Sequence, residues 1–273
     1  MTDDRTNGAP APGDGHGARR PAVVLANLGT PSAPTPSHVR RFLREFLSDR
    51  RVVETHPLLW RPVLEGVVLR VRPRVVAKKY AGIWTPQGSP LMRYTLRQAE
   101  LLGRRMPDVD VQAAMRYGEP GLGAVLDALH ARGTRRVAVL PAYPQYSATT
   151  VASLNDVAAQ WLRRNRDGFD LRLVRSFPTA PAYIDALASA LESHWGRCGR
   201  PDFAAGDAVV VSFHSIPEAM DRAGDPYRSE CMGTVAALEA RLGLARGALT
   251  VAFQSVFGPA AWLGPATIDT VTR

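Results

Sequence analysis

From residue 21 onward the chain alternates two kinds of apolar pattern. Short runs rich in β-branched residues, bounded by turn residues, predict strands at Ala22–Leu28, Val109–Met115, Arg136–Ala142, Leu171–Ser176, Ala208–Phe213 and Thr250–Gln254. Longer stretches with apolar positions at helical spacing predict helices at Ser37–Leu47, Val75–Trp84, Leu91–Arg105, Leu122–Ala131, Val151–Arg164, Ala182–His194 and Ser229–Leu242. Pro36-Ser37 is a start signal for the first helix and Gly133 a stop signal for the fourth. Strands alternating with helices give βαβ units, hence parallel sheet flanked by helices. The turn signal Arg166-Asp167-Gly168 divides the chain into an α/β half at 21–168 and a second at 169–273.

Two stretches depart from this alternation. Residues 1–20 are rich in Gly, Ala, Pro and Asp without periodicity, which predicts a disordered tail. No apolar segment follows its charges as a secretion signal requires, and no run of 18 apolar residues occurs elsewhere, so the expected location is cytoplasmic. Leu58–Val71 (LLWRPVLEGVVLRV) is more apolar than a solvent face needs. It reads first as a packed helix with Pro62 in or near its first turn, and alternatively as an amphipathic element resting on a membrane surface.

A chain of 273 residues with 45% hydrophobic and 22% charged residues can bury a substantial core. Cys198 and Cys231 lack the spacing of a zinc finger, an iron–sulfur cluster or a disulfide framework, which leaves structural or surface thiols. The net charge of +9 favours anionic partners: nucleic acid, anionic lipid or a carboxylate-bearing substrate. Nucleic acid is the weakest of these, because the arginines are scattered along helical patterns and are not interleaved with stacking aromatics.

Ligands of open parallel sheets bind beyond the carboxyl ends of the strands. Five segments follow predicted strands: Asn27-Leu28-Gly29-Thr30-Pro31, Arg116-Tyr117-Gly118, Tyr143-Pro144-Gln145-Tyr146-Ser147, His214-Ser215 and Gln254-Ser255. A single glycine after the first strand does not have the spacing that cradles a pyrophosphate, so no dinucleotide cofactor is indicated. His214 ends an apolar run and precedes the turn former Ile216-Pro217, which aims its imidazole into a crevice. Such a ring can ligate a divalent metal or accept a proton, or serve only as a hydrogen-bonded structural group. Gln87-Gly88-Ser89-Pro90-Leu91-Met92 reads as a helix-starting turn, with Ser89 capping and Pro90 in the first position. Gly224-Asp225-Pro226-Tyr227 reads equally as a turn or a contact.

The wording of these segments resembles one family. Ser212-Phe213-His214-Ser215-Ile216-Pro217 is followed by Gly224-Asp225-Pro226-Tyr227, Phe253-Gln254-Ser255, Phe257-Gly258 and Trp262-Leu263. The first half contributes Asn27-Leu28-Gly29-Thr30-Pro31, Phe46-Leu47-Ser48-Asp49 with Arg51-Val52-Val53, Gly88-Ser89-Pro90-Leu91 and Tyr143-Pro144-Gln145-Tyr146-Ser147. In this order they resemble ferrochelatases of the Gram-negative bacterial type, from about Pro21 to the end.

The resemblance implies two Rossmann-like α/β halves of the class II chelatase kind, the second incomplete. It implies a lyase that inserts ferrous iron into protoporphyrin IX, giving protohaem and two protons. Iron is then a substrate, with no permanent cofactor. By the matching loop His214 is the metal-site and catalytic histidine. Leu28, Ser89, Pro90, Leu91, Arg116, Tyr117, Tyr143, Gln145, Tyr146 and Ser147 are the expected porphyrin-binding residues. Ferrochelatases continue past the Trp-Leu-x-Pro stretch to an acidic residue opposite the histidine, so a C-terminally truncated chain of impaired activity is expected. The alternatives at this stage are a non-catalytic porphyrin-binding protein and a chelatase for coproporphyrin or another metal. The expected partners are therefore protoporphyrin IX and ferrous iron, with peripheral membrane contact as an option and the oligomeric state open.

Overall fold

The structure is a computed structural model that describes residues 20–256 and 260–272. Apart from Arg20, the expected disordered tail lies outside the described residues, as does Phe257-Gly258.

The first sheet holds β1 (Ala22–Gly29), β2 (Asp110–Tyr117), β3 (Arg136–Pro141) and β4 (Asp170–Leu173), all parallel, in the order β2-β1-β3-β4. Central β1 buries Val24 and Ala26 against Val137 and Val139 of β3, as expected for a strand with neighbours on both sides and helices over its faces. The helices of this half are α1 (Pro36–Leu47), α2 (Pro57–Val63), α3 (Leu69–Ile83), α4 (Pro90–Arg105), α5 (Leu122–Ala131) and α6 (Ser153–Arg164). Leu122, Leu126 and Leu129 of α5 join Leu154 and Trp161 of α6 in the core. Trp161 stacks on Phe169 with ring centroids 4.4 Å apart, and its indole N–H donates to Asp127 at 2.7 Å.

The second sheet pairs β5 (Val209–His214) with β6 (Leu249–Gln254), again parallel. Here α7 (Pro181–Cys198) and α9 (Tyr227–Leu242) close the core through Ile184, Ala188, Val235 and Leu238. Two short helices, α8 (Glu218–Arg222) and α10 (Thr267–Val271), complete this half. Two parallel-sheet halves flanked by helices are the class that the strand and helix alternation predicts.

Several details differ from expectation. The segment expected to form a strand at Leu171–Ser176, beyond the division at 168–169, is β4 and pairs with β3, so the first sheet runs on to Leu173. Strand β2 continues two residues beyond the expected end, which makes Arg116 and Tyr117 its last residues. Helix α2 starts with Pro57 at its first turn, and Pro62 lies near its end. Since Pro62 offers no N–H and crowds the preceding turn, the helix loosens into a π-turn at Leu64–Val68 before α3 begins. A second π-turn, Ala148–Ala152, occupies the expected start of α6.

One glycine fixes how the first sheet ends. Gly29, with φ +103°, pairs with Tyr117, and a Cβ there would lie 1.7 Å from the Tyr117 carbonyl oxygen. The loops after β1 and β2 thereby leave the sheet side by side.

Candidate active site

His214 is the last residue of β5 and stands in register with Gln254 of β6. The loop it opens is stitched to the chain beyond β6. Ser215 donates its N–H to the Gln254 carbonyl at 2.7 Å and its hydroxyl to the Leu263 carbonyl at 3.0 Å, while the Leu263 N–H returns to Ile216. The imidazole Nδ1 lies 2.6 Å from the Ser215 carbonyl. A carbonyl can only accept, so Nδ1 is the donor in this contact. Next to Gln254, Ser255 adopts φ +71°, a left-handed conformation uncommon outside glycine and frequent near functional sites. Among the described residues, no group of three or more His, Cys, Asp and Glu side chains is placed to hold a metal ion.

The loop after β3 is fastened to α9 of the other half. Gln145 donates to the Thr234 hydroxyl at 2.8 Å, and the Tyr146 N–H donates to Glu230 at 2.8 Å. The Ser147 hydroxyl and the Ala148 N–H both donate to one oxygen of Asp225, at 3.0 and 2.7 Å. Glu230 also pairs with Arg175 at 2.6 Å, and that guanidinium lies 4.7 Å from the Tyr146 ring centre. Asp225 is thus both turn and contact, because its second oxygen accepts from the Tyr227 N–H at the start of α9. Tyr227 and the buried Cys231 follow on the same helix; burial pushes the Cys231 thiol up to about 12.

Beneath this loop lies a polar cluster. One oxygen of Asp49 accepts from Arg116 at 2.5 Å, from the Tyr117 hydroxyl at 2.8 Å and from the Ser153 hydroxyl at 2.5 Å. Its other oxygen accepts from the Arg51 N–H at 2.8 Å. Burial by itself would raise this carboxyl, but the hydrogen bonds from Ser153, Arg51 and Tyr117 and the Arg116 charge hold it below the usual carboxylate range. The Arg116 guanidinium lies 4.4 Å from the Tyr117 ring centre. Tyr143 adjoins the cluster, and among the described residues its buried hydroxyl has no hydrogen-bond partner; burial raises that phenol strongly.

The remaining expected residues line the ends of β1 and α4. Leu28 is half-buried against the α1 side of the core. Ser89 stands at the N-cap of α4 with Pro90 in the first turn, but its hydroxyl makes no capping bond, contrary to expectation. Thr95 of α4 donates to the Leu91 carbonyl and accepts from Asn27, which ties the Ser89-Pro90-Leu91 turn to the end of β1.

The structure therefore gathers Leu28, Arg116, Tyr117 and Tyr143 at the ends of adjacent strands, and brings His214 to the equivalent edge of the second sheet. Tyr117, Ser147, Ser89 and Gln145 are buried. Sequence reasoning missed Asp49, Glu230 and Thr234. Asp49 stood inside a quoted motif, whereas the other two were visible only as polar positions on a helix.

Comparison with known proteins agrees with the motifs. The Ferrochelatase family profile matches residues 20–273. A ferrochelatase of Methylibium petroleiphilum (strain ATCC BAA-1232 / LMG 22953 / PM1) is 48% identical over 270 residues, which cover 97% of this chain and 73% of that protein. With the match running through both halves and every strand-end loop described above, the chain belongs to the ferrochelatase family.

Proposed function

We infer that this chain is a lyase of haem synthesis that inserts ferrous iron into protoporphyrin IX, releasing the two pyrrole protons. The observation that carries the reading is His214, at the carboxyl end of β5, with Nδ1 held by the Ser215 carbonyl in a chain of this family. A ring fixed through Nδ1 can ligate the incoming cation or take a pyrrole proton through Nε2, and a turning ring would do either less well. Iron passes through as substrate; no resident cofactor or iron–sulfur cluster is proposed.

The porphyrin is assigned to the crevice at the strand ends. Tyr143, Tyr146, Leu28, Pro90 and Leu91 supply flat apolar walls, and Arg116 with its partners supplies a polar rim. Tyr117, Ser147, Gln145 and Ser89 hold these groups in place. The division between halves is assigned to the link between β4 and α7.

The α2–α3 arm is proposed as a membrane-surface contact. Leu59, Val63, Val67, Val71 and Val75 recur every fourth residue and are exposed, while Leu64, Leu69 and Ala77 on the opposite side are packed in the core. Exposed Arg70, Arg72, Arg74, Lys78 and Lys79 flank the stripe. Glu65, the one acid of the segment, is paired with Arg44 at 2.6 Å, so the arm presents basic and apolar groups together. Among the described residues, no helix is long and apolar enough to cross a membrane.

The test is anaerobic iron insertion with protoporphyrin and coproporphyrin, followed by the loss of porphyrin fluorescence. His214→Ala is expected to lower turnover at least 100-fold while protoporphyrin still binds. Equal turnover in variant and parent would remove His214 from the site, and insertion into coproporphyrin alone would reassign the substrate.

A further inference from the structure

Arg116 carries its positive charge at the end of β2, near Tyr143. A ferrous ion and a porphyrin dicarboxylate respond to that charge in opposite ways. The guanidinium is only 17% exposed, and the Asp49 carboxylate it meets at 2.5 Å is 8% exposed. A pair so enclosed is weakly screened by salt.

The pairing is specific in its geometry. Asp49 comes from the segment after α1, Arg116 from β2 and Ser153 from α6, and all of their polar groups converge. Arg116 uses Nη2 on Asp49 and Nε on the hydroxyl of Ser153, which itself donates to the same carboxylate oxygen. The neighbouring Arg51 is matched as well, by Asp156 at 2.8 and 3.1 Å. In a chain of net charge +9, this corner is balanced charge for charge.

We propose that Asp49 is a positioning residue that cancels the charge of Arg116 beside the porphyrin crevice, so that a divalent cation meets a neutral rim while the guanidinium keeps its place. The proposal rests on the ferrochelatase reading of the site. It makes the two substrates report opposite signs, which a purely structural role does not.

The experiment uses the full chain at low ionic strength. It measures KM for ferrous iron by anaerobic insertion and Kd for protoporphyrin by fluorescence quenching. In Asp49→Asn, which keeps an acceptor and loses the charge, KM for iron rises about three- to tenfold and Kd for protoporphyrin falls. In Arg116→Gln both quantities move the other way, and the double variant returns KM for iron toward the parent value. If Asp49→Asn does not fold, Arg116→Gln still tests the proposal through its own shifts, a lower KM for iron and a higher Kd for protoporphyrin. Same-direction changes, changes within twofold, or failure of all three variants to fold overturn the proposal. A parent that neither binds protoporphyrin nor inserts iron would instead overturn the reading of the site itself.

Discussion

Gly29 illustrates how much rests on single atoms. Its backbone sits in the left-handed region and its Cα faces the Tyr117 carbonyl, with a would-be Cβ 1.7 Å from that oxygen. Gly29→Ala therefore has to separate β1 from β2 at the edge that bears Arg116 and Tyr117. The expected cost is about 3 kcal/mol or more, read as a fall in the urea midpoint, together with weaker protoporphyrin binding. Asn27-Leu28-Gly29-Thr30-Pro31 stands out in the sequence, and a glycine after a strand signals a turn. Its partner across the sheet was not legible, because the clash is with a carbonyl some ninety residues away. The same holds for the crevice as a whole. His214 could be placed from its strand and its loop, whereas Asp49, Glu230 and Thr234 gain their parts from bonds spanning 67 to 89 positions.

The secondary-structure elements show the opposite balance. Strand cores such as Val137–Val139 and Val209–Val211 announce themselves through β-branched side chains, and the helices through their apolar faces. What the pattern did not carry were the π-turns, which depend on how Pro62 and the residues after Ser147 adjust to packing. Nor did it carry the partner of β4, which only the sheet defines. The α2–α3 arm falls between these cases. It is a packed helix on one side, as first read, and an exposed apolar stripe on the other. Full-length protein is accordingly expected to sediment with vesicles containing phosphatidylglycerol and much less with neutral ones. A Val67→Asp and Val71→Asp pair should cut that binding severalfold without changing the circular dichroism spectrum. Binding by the double variant equal to the parent would exclude this arm as the contact.

The two halves differ in how well they are buried. Around β1 and β3 the core is closed on both faces and braced by the Trp161–Phe169 stack, whereas β5 keeps Ser212 and His214 at the surface. Hydrogen exchange followed by mass spectrometry should find amides of 22–29 and 137–140 the slowest, and those of 209–214 faster by at least tenfold. Equal protection in both sheets would mean that the second half is held by more than its own core. With the faster exchange expected, His214 sits on the more pliable partner.

The joint between the halves gives this pliability a direction. Two separate sheets meet through Asp225, Glu230 and Thr234 at one end of α9, each gripping the backbone or a side chain of residues 145–148. Such a joint would serve as a pivot: the β ladders on either side survive a small rotation, while the bonds at residues 145–148 and the packing of Ala148 against Ile216 and Met220 adjust. A rocking of the second half about Asp225 would carry His214 toward or away from the crevice wall as one rigid piece, so the gauge of the opening is a matter of torsion at a single corner.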